Sequence, residues 1–291
     1  MRVKIFCDVF ATSGLGHLRR CEKILAHIEK LCKKKSELSL YPYNGKNMAS
    51  FLESVSSDDF LIVDSYLLNP QDFYVLKEKV RSLMVIEDKE HSFYPKNTTI
   101  MNFTLNALKH YHHLSKDYRY YLGVEFYPID VNFIYERPVD LENKEVLITL
   151  GGSEHKILVR IVQILENNGV NLHIISANAQ KSSQKNTHYY SHLSPLEFSA
   201  LMKFCGCAIS AAGQTLYELA LTKTPSLILP IASNQIIQSK EFEQSGIFKQ
   251  TSLKTLARDF KELQEQRGQK WIKNLAFGSK LESALKEFLE I

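Results

Sequence analysis

A histidine follows two closely spaced glycines in Gly14-Leu15-Gly16-His17, and Arg20 comes three residues later. The segment lies where an apolar run turns into a helical pattern, so backbone N–H groups at the helix start face any ligand that sits there. The glycines let an anionic or polar ligand approach closely. The positive end of the helix dipole keeps an imidazole neutral and able to accept a proton. That is the chemistry of a general base, although a histidine packed beside a tight turn fits the same local pattern. Asp8, at the end of the preceding apolar run, is placed either to orient His17 or to bond loop amides. A dinucleotide fingerprint would put a third glycine at position 19, where Arg19 stands, so an NAD site is set aside. Asp64-Ser65-Tyr66 closes another apolar run, and Tyr66 is placed to bound a sugar pocket or to pack at a strand end. His17, Asp8 and Tyr66 are the candidate catalytic residues, with Gly14, Gly16 and Arg20 beside them for substrate.

A second group lies far along the chain. Ser210-Ala211-Ala212-Gly213-Gln214-Thr215 is followed by Glu218 in the first turn of a predicted helix. Small residues let the backbone close on a phosphate, Thr215 adds a hydroxyl, and Glu218 is an acceptor for the two hydroxyls of a ribose. An acidic residue is also favoured in any first helical turn. Leu150-Gly151-Gly152-Ser153 ends a strand and opens a helix. Asn234-Gln235, after Pro230, begins another helix with amide groups suited to phosphate or sugar, or with Asn234 as a plain cap. Gly152, Ser153, Gly213, Gln214, Thr215, Glu218, Asn234 and Gln235 are the substrate-binding candidates of this half.

These residues need parallel sheets to hold them, since ligands of open α/β sheets bind at the carboxyl ends of the strands. Short β-branched or apolar runs do alternate with amphipathic helical patterns. Strands are predicted at residues 3–6, 38–41, 60–63, 84–86, 100–103 and 118–122, and the first helix at 17–31. The polar segment Asp130 to Asn143, with Pro138, reads as a linker. The pattern then restarts with strands at 146–150, 172–176, 208–210 and 226–229 and helices at 155–166, 195–204, 215–222 and 235–244. A closing helix near 280–289 carries Leu281, Ala284, Leu285 and Leu289 on one stripe. The prediction is two doubly wound Rossmann-like domains, 1–137 and 144–291, with a cleft between them.

With 291 residues, 44% hydrophobic and 23% charged, the chain has the balance of an ordinary globular protein and room for two cores. A net charge of +4 suits a small anionic ligand, and the one compact basic run, Lys33 to Lys35, sits at a helix end, where it complements the dipole; no nucleic-acid partner is expected. Five scattered cysteines, with no secretory signal, predict a reduced, cytoplasmic protein, and no apolar run reaches the ~18 residues of a membrane span. Cys205 and Cys207 come with no second Cys or His pair at ligand spacing, and His110, His112 and His113 fall in an aromatic polar stretch that reads as surface, so neither a metal nor any other cofactor is expected.

Taken together, G-x-G-H-x-x-R at Gly14 to Arg20 and S-A-A-G-Q-T-x-x-E at Ser210 to Glu218, with Pro225 and Asn234-Gln235 downstream, resemble the UDP-2,4-diacetamido-2,4,6-trideoxy-β-L-altropyranose hydrolases of pseudaminic acid synthesis. The resemblance runs over nearly the whole chain, and the wider relatives include the peptidoglycan N-acetylglucosaminyltransferase. It implies a GT-B-like pair of domains, the first for sugar and catalysis and the second for UDP. Water would attack the anomeric carbon with inversion and loss of UDP. His17 matches the catalytic histidine, Gly213, Gln214 and Thr215 the diphosphate loop, and Glu218 the ribose-binding acid. The chain departs at Phe6, where Arg is common, at Glu87-Asp88, where paired Asp is common, and at Ala212, where Gly is usual. The expected partner is the UDP-sugar alone, bound by a monomer. A glycosyltransferase of the same fold would instead need an acceptor before releasing UDP, and a non-catalytic binding protein would release none.

Overall fold

The computed structural model describes residues 1–9, 16–32, 36–46, 48–88, 93–134, 142–151, 156–176, 186–266 and 275–291. The chain forms two compact units, Met1–Ile129 with Leu275–Ile291, and Asp130–Asn274.

The first unit alternates strand and helix: β1 (Arg2–Asp8), α1 (Gly16–Cys32), β2 (Glu37–Tyr43), α2 (Met48–Ser54), β3 (Asp59–Asp64), α3 (Pro70–Lys79), β4 (Ser82–Ile86), β5 (Thr98–Asn102) and β6 (Tyr118–Leu122). Its sheet runs β2-β1-β3-β4-β5-β6, all parallel. Every residue of β3 is buried, as befits a central strand covered on both faces. The β1–β3 register sets Cys7 opposite Asp64, so Asp8 and Asp64 come up together at the carboxyl edge. α3 starts where it does because Asn69 and Asp72 form a capping box around Pro70, whose missing N–H is no loss in a first turn. Phe6, Leu61, Val63, Phe73, Leu76, Val85 and Ile100 share the core on one face of the sheet.

The second unit repeats the scheme with β7 (Glu145–Thr149), α4 (Ile157–Leu165), β8 (Asn171–Ile175), β9 (Thr187–Tyr190), α5 (Pro195–Phe204), β10 (Cys207–Ser210), α6 (Thr215–Leu221), β11 (Ser226–Ile228), α7 (Ile236–Gln244), β12 (Lys249–Gln250) and α8 (Leu256–Gln266). The order β12-β11-β10-β7-β8-β9 is again parallel throughout. Ser210 stands opposite Thr149 and Ile228, so the loops after β7, β10 and β11 share one edge. Cys207 is buried in the core of this unit, among Val146, Ile148, Ile209 and Leu227, and Cys205 is buried too.

The domain boundaries differ from the sequence expectation in two ways. Residues 275–291 do not stay with the second unit. Their helix, α9 (Leu281–Leu289), buries Leu281, Ala284, Leu285, Phe288 and Leu289 in the first. Phe288 meets Phe60 edge-on at 5.8 Å, and Glu287 accepts the Tyr121 hydroxyl at 2.7 Å. An apolar stripe says that a helix packs without saying on which sheet. The start of the expected linker also belongs to the second unit: Val131–Phe133 form a 3₁₀ turn, with Phe133 buried against Phe198. The middle of that segment, 135–141, lies outside the described residues.

Candidate functional site

At the carboxyl edge of the first sheet, His17 and Arg20 sit one turn apart on α1, both buried, and both turn to Asp64 at the end of β3. His17 Nδ1 lies 2.6 Å from Asp64 Oδ1. Arg20 grips the same carboxylate with two groups, Nε on Oδ2 and Nη2 on Oδ1, and its Nη1 donates to Asp88 Oδ1 at 3.0 Å. Burial alone would raise the Asp64 carboxyl, but the charge and hydrogen bonds of Arg20, with the bond from His17, hold it down at about 2. Burial likewise works against the Arg20 charge, and Asp64 and Asp88 outweigh it. Asp64 is therefore a carboxylate, an acceptor only, and the 2.6 Å contact requires His17 to donate Nδ1–H. The ring lone pair is then on Nε2. Arg20 Nη2, 3.2 Å from Nδ1, is a close neighbour, not a donor to it.

Asp8 does not orient His17. Of its two expected roles it takes the second: it accepts from Ser65 Oγ at 2.6 Å and from the backbone N–H groups of Tyr66 and Leu67 at 2.6 and 3.3 Å, and so fixes the turn after β3. That turn delivers Tyr66, which is half exposed. Its ring stands edge-on to His17 at 4.6 Å and its hydroxyl donates to Asp88. Gly16 opens α1, while Gly14 lies outside the described residues. Glu87, next to Asp88, is buried and accepts the hydroxyls of Tyr94, at 2.8 Å, and Tyr111. The structure thus adds Asp64 and Asp88 to the candidate site: the sequence placed the Asp64-Ser65-Tyr66 segment beside the His17 loop but gave neither acid a role. The signal for Asp64 was the acid that ends β3, the strand beside β1.

In the second unit, α6 begins at Thr215 after the Ser210–Gln214 loop, with Glu218 in its first turn. Two glutamines of the next helix region pin this loop. Gln235 Oε1 accepts the N–H groups of Ala212 at 3.3 Å and Ile231 at 2.9 Å. Gln238 Nε2 donates to the carbonyls of Ala212 at 3.2 Å and Gly213 at 2.9 Å. Gln235 is therefore a staple for the loop, and Gln238, unassigned from sequence, is its companion. A Cβ built on Gly213 would meet no atom of the described residues within 4 Å, so none of them fills the space over the loop. Gln214 Oε1 is buried with no hydrogen bond among the described residues, an acceptor that a ligand hydroxyl or N–H would satisfy. Thr215 and Glu218 are half-buried. Gly152, Ser153 and the Asn234 side chain lie outside the described residues. Among those described, no three His, Cys, Asp or Glu side chains converge as a metal site requires, and no helix is long and apolar enough to cross a membrane.

Two parallel six-stranded sheets covered by helices, with candidate groups at their carboxyl edges, define a GT-B-like fold. Solved glycosyltransferase structures share it: Arabidopsis thaliana UGT89C1 complexed with quercetin matches with a TM-score of 0.64 and 12% identity, covering 100% of this chain and 99% of that one. Acinetobacter baumannii MurG matches with a TM-score of 0.59 and 12% identity, covering 99% of each. By sequence, the chain is 72% identical, over its whole length, to 56% of a Helicobacter pylori (strain ATCC 700392 / 26695) protein named "Pseudaminic acid cytidylyltransferase and UDP-2,4-diacetamido-2,4,6-trideoxy-beta-L-altropyranose hydrolase". It is also 30% identical over 169 residues, 52% of this chain and 47% of that one, to the Clostridium botulinum (strain Hall / ATCC 3502 / NCTC 13319 / Type A) UDP-N-acetylglucosamine--N-acetylmuramyl-(pentapeptide) pyrophosphoryl-undecaprenol N-acetylglucosamine transferase. The chain spans about half the length of these curated relatives. No family model matches it.

Proposed function

We propose that the chain hydrolyses a UDP-linked 2,4-diacetamido-2,4,6-trideoxy sugar to free sugar and UDP. The observation that carries this is the buried His17–Asp64 pair, which leaves Nε2 as a base, in a chain 72% identical from end to end to part of a protein named for that hydrolysis. In this reading Nε2 takes a proton from water as the water oxygen bonds to the anomeric carbon. The bond from that carbon to the β-phosphate oxygen breaks, and UDP leaves with the electron pair. The sugar inverts. The segment 211–218 holds UDP, with backbone N–H groups and Thr215 for the diphosphate and Glu218 for the ribose hydroxyls. The protein works in the cytoplasm as a monomer, and a sedimentation mass of two chains would overturn the latter.

The test gives purified protein the UDP-sugar in oxygen-18 water with no acceptor and weighs the products. Label in the free sugar supports attack at carbon, whereas label in UDP means attack at phosphorus. Turnover that starts only when an acceptor alcohol is added would make the protein a glycosyltransferase.

A further inference from the structure

Asp88 is tied to His17 by two routes. One oxygen accepts Arg20 Nη1, whose other groups hold Asp64, and the other accepts the hydroxyl of Tyr66, whose ring stands against His17. Among the described residues, the charged groups around the imidazole are Asp64 from β3 and Arg20 from its own helix, with Asp88, just past the end of β4, behind the guanidinium. The polar neighbours are Tyr66, from the turn after β3, and Cys21, whose Sγ is 3.5 Å from Asp64 Oδ2. Asp64 and Arg20 alone would cancel, and a neutral pair gives little support to a neighbouring imidazolium. Asp88 sets a second carboxylate against the same guanidinium. The cluster then carries one surplus negative charge while His17 is neutral and none once His17 has taken a proton. Glu87, anchored by Tyr94 and Tyr111, fixes where β4 ends and thereby where Asp88 stands.

We propose that Asp88 is a positioning residue for His17: it supplies the charge that the protonated imidazole needs and aims Tyr66 at the ring. The proposal rests on His17 acting as the base. Among the described residues Asp88 meets His17 through Arg20 and Tyr66, so its effect falls on the proton step.

Asp88→Asn keeps the shape and removes the charge. The expected result is a roughly tenfold lower kcat for UDP release, a KM within about twofold, and an acid limb of kcat/KM displaced by roughly half to one pH unit toward lower pH. Tyr66→Phe leaves the carboxylate in place and should leave that limb where it is. The same displacement should appear in a nitrogen-15 NMR titration of the His17 ring, assigned by its loss in His17→Gln. That readout needs no turnover, so it tests Asp88 even if the protein hydrolyses no UDP-sugar. An unmoved titration in a folded Asp88→Asn protein would overturn the proposal. Should that variant fail to fold, Asp88→Ser, also uncharged, answers the same question.

Discussion

At the carboxyl edge of the first sheet, two carboxylates and a guanidinium are brought together around His17, with Asp64 and Arg20 buried. At the same edge of the second sheet, the loop before α6 is held by two neutral amides, Gln235 and Gln238, and none of the described residues fills the space above Gly213. One scaffold therefore carries two kinds of preparation. Taking charges out of water is costly, and is tolerated when each is paired and hydrogen-bonded, as Asp64 and Arg20 are. A fixed charge of this kind suits a step in which a proton moves. A loop fastened by neutral groups suits a ligand that brings its own charge, as a diphosphate does.

This contrast can be broken by experiment, beginning with the largest effect. His17→Gln should lower kcat for UDP release roughly a thousandfold while leaving UDP affinity, measured by calorimetry, unchanged. A parallel loss of affinity would mean that the two edges are not separate in function. Phe288→Ala should destabilise the first unit by about 3 kcal/mol and spare the second, seen as one early transition in a urea melt followed by hydrogen exchange. Next comes acid. Asp64 is held at about 2 against an ordinary 3.8, so its contribution is fully present above that ordinary value and is lost as pH falls from about 4 toward 2. The difference amounts to about 2 kcal/mol, and Asp64→Asn should remove that much of the decline in urea stability between pH 5 and pH 2. Gln235→Leu with Gln238→Leu should weaken UDP binding about fivefold to tenfold, because each hydrogen bond contributes about 1 kcal/mol. Gly213→Ala should change thermal stability by less than about 0.5 kcal/mol, since its methyl group meets none of the described residues, yet lower UDP affinity if that space is where phosphate lies.

Most of the parallel strands were legible because they are short apolar runs between helical patterns, and most of their boundaries fall within two residues of those expected. The strands β9 and β12 were not, being short edge strands without an apolar run. The helix α8 was within reach, since Leu256, Phe260 and Leu263 recur at helical spacing and are buried. Within the site, His17 and the acids were visible as residue types, and their pairing was not. Asp8 is much nearer to His17 along the chain than Asp64 is, and only the strand order, with β3 beside β1, decides which acid the histidine meets. The staples Gln235 and Gln238 are of the same kind: an amide looks alike in sequence whether it binds a ligand or a neighbouring loop.

The return of α9 to the first unit means that the second unit is, in the order of the chain, an insertion within the first. A ribosome releases all of the second unit before it releases the helix that covers Phe60. During synthesis the apolar surface that Phe288 and Leu285 later cover stays bare while about 145 further residues emerge and fold. Of the two units, the one that holds His17 is thus begun before the other and finished after it.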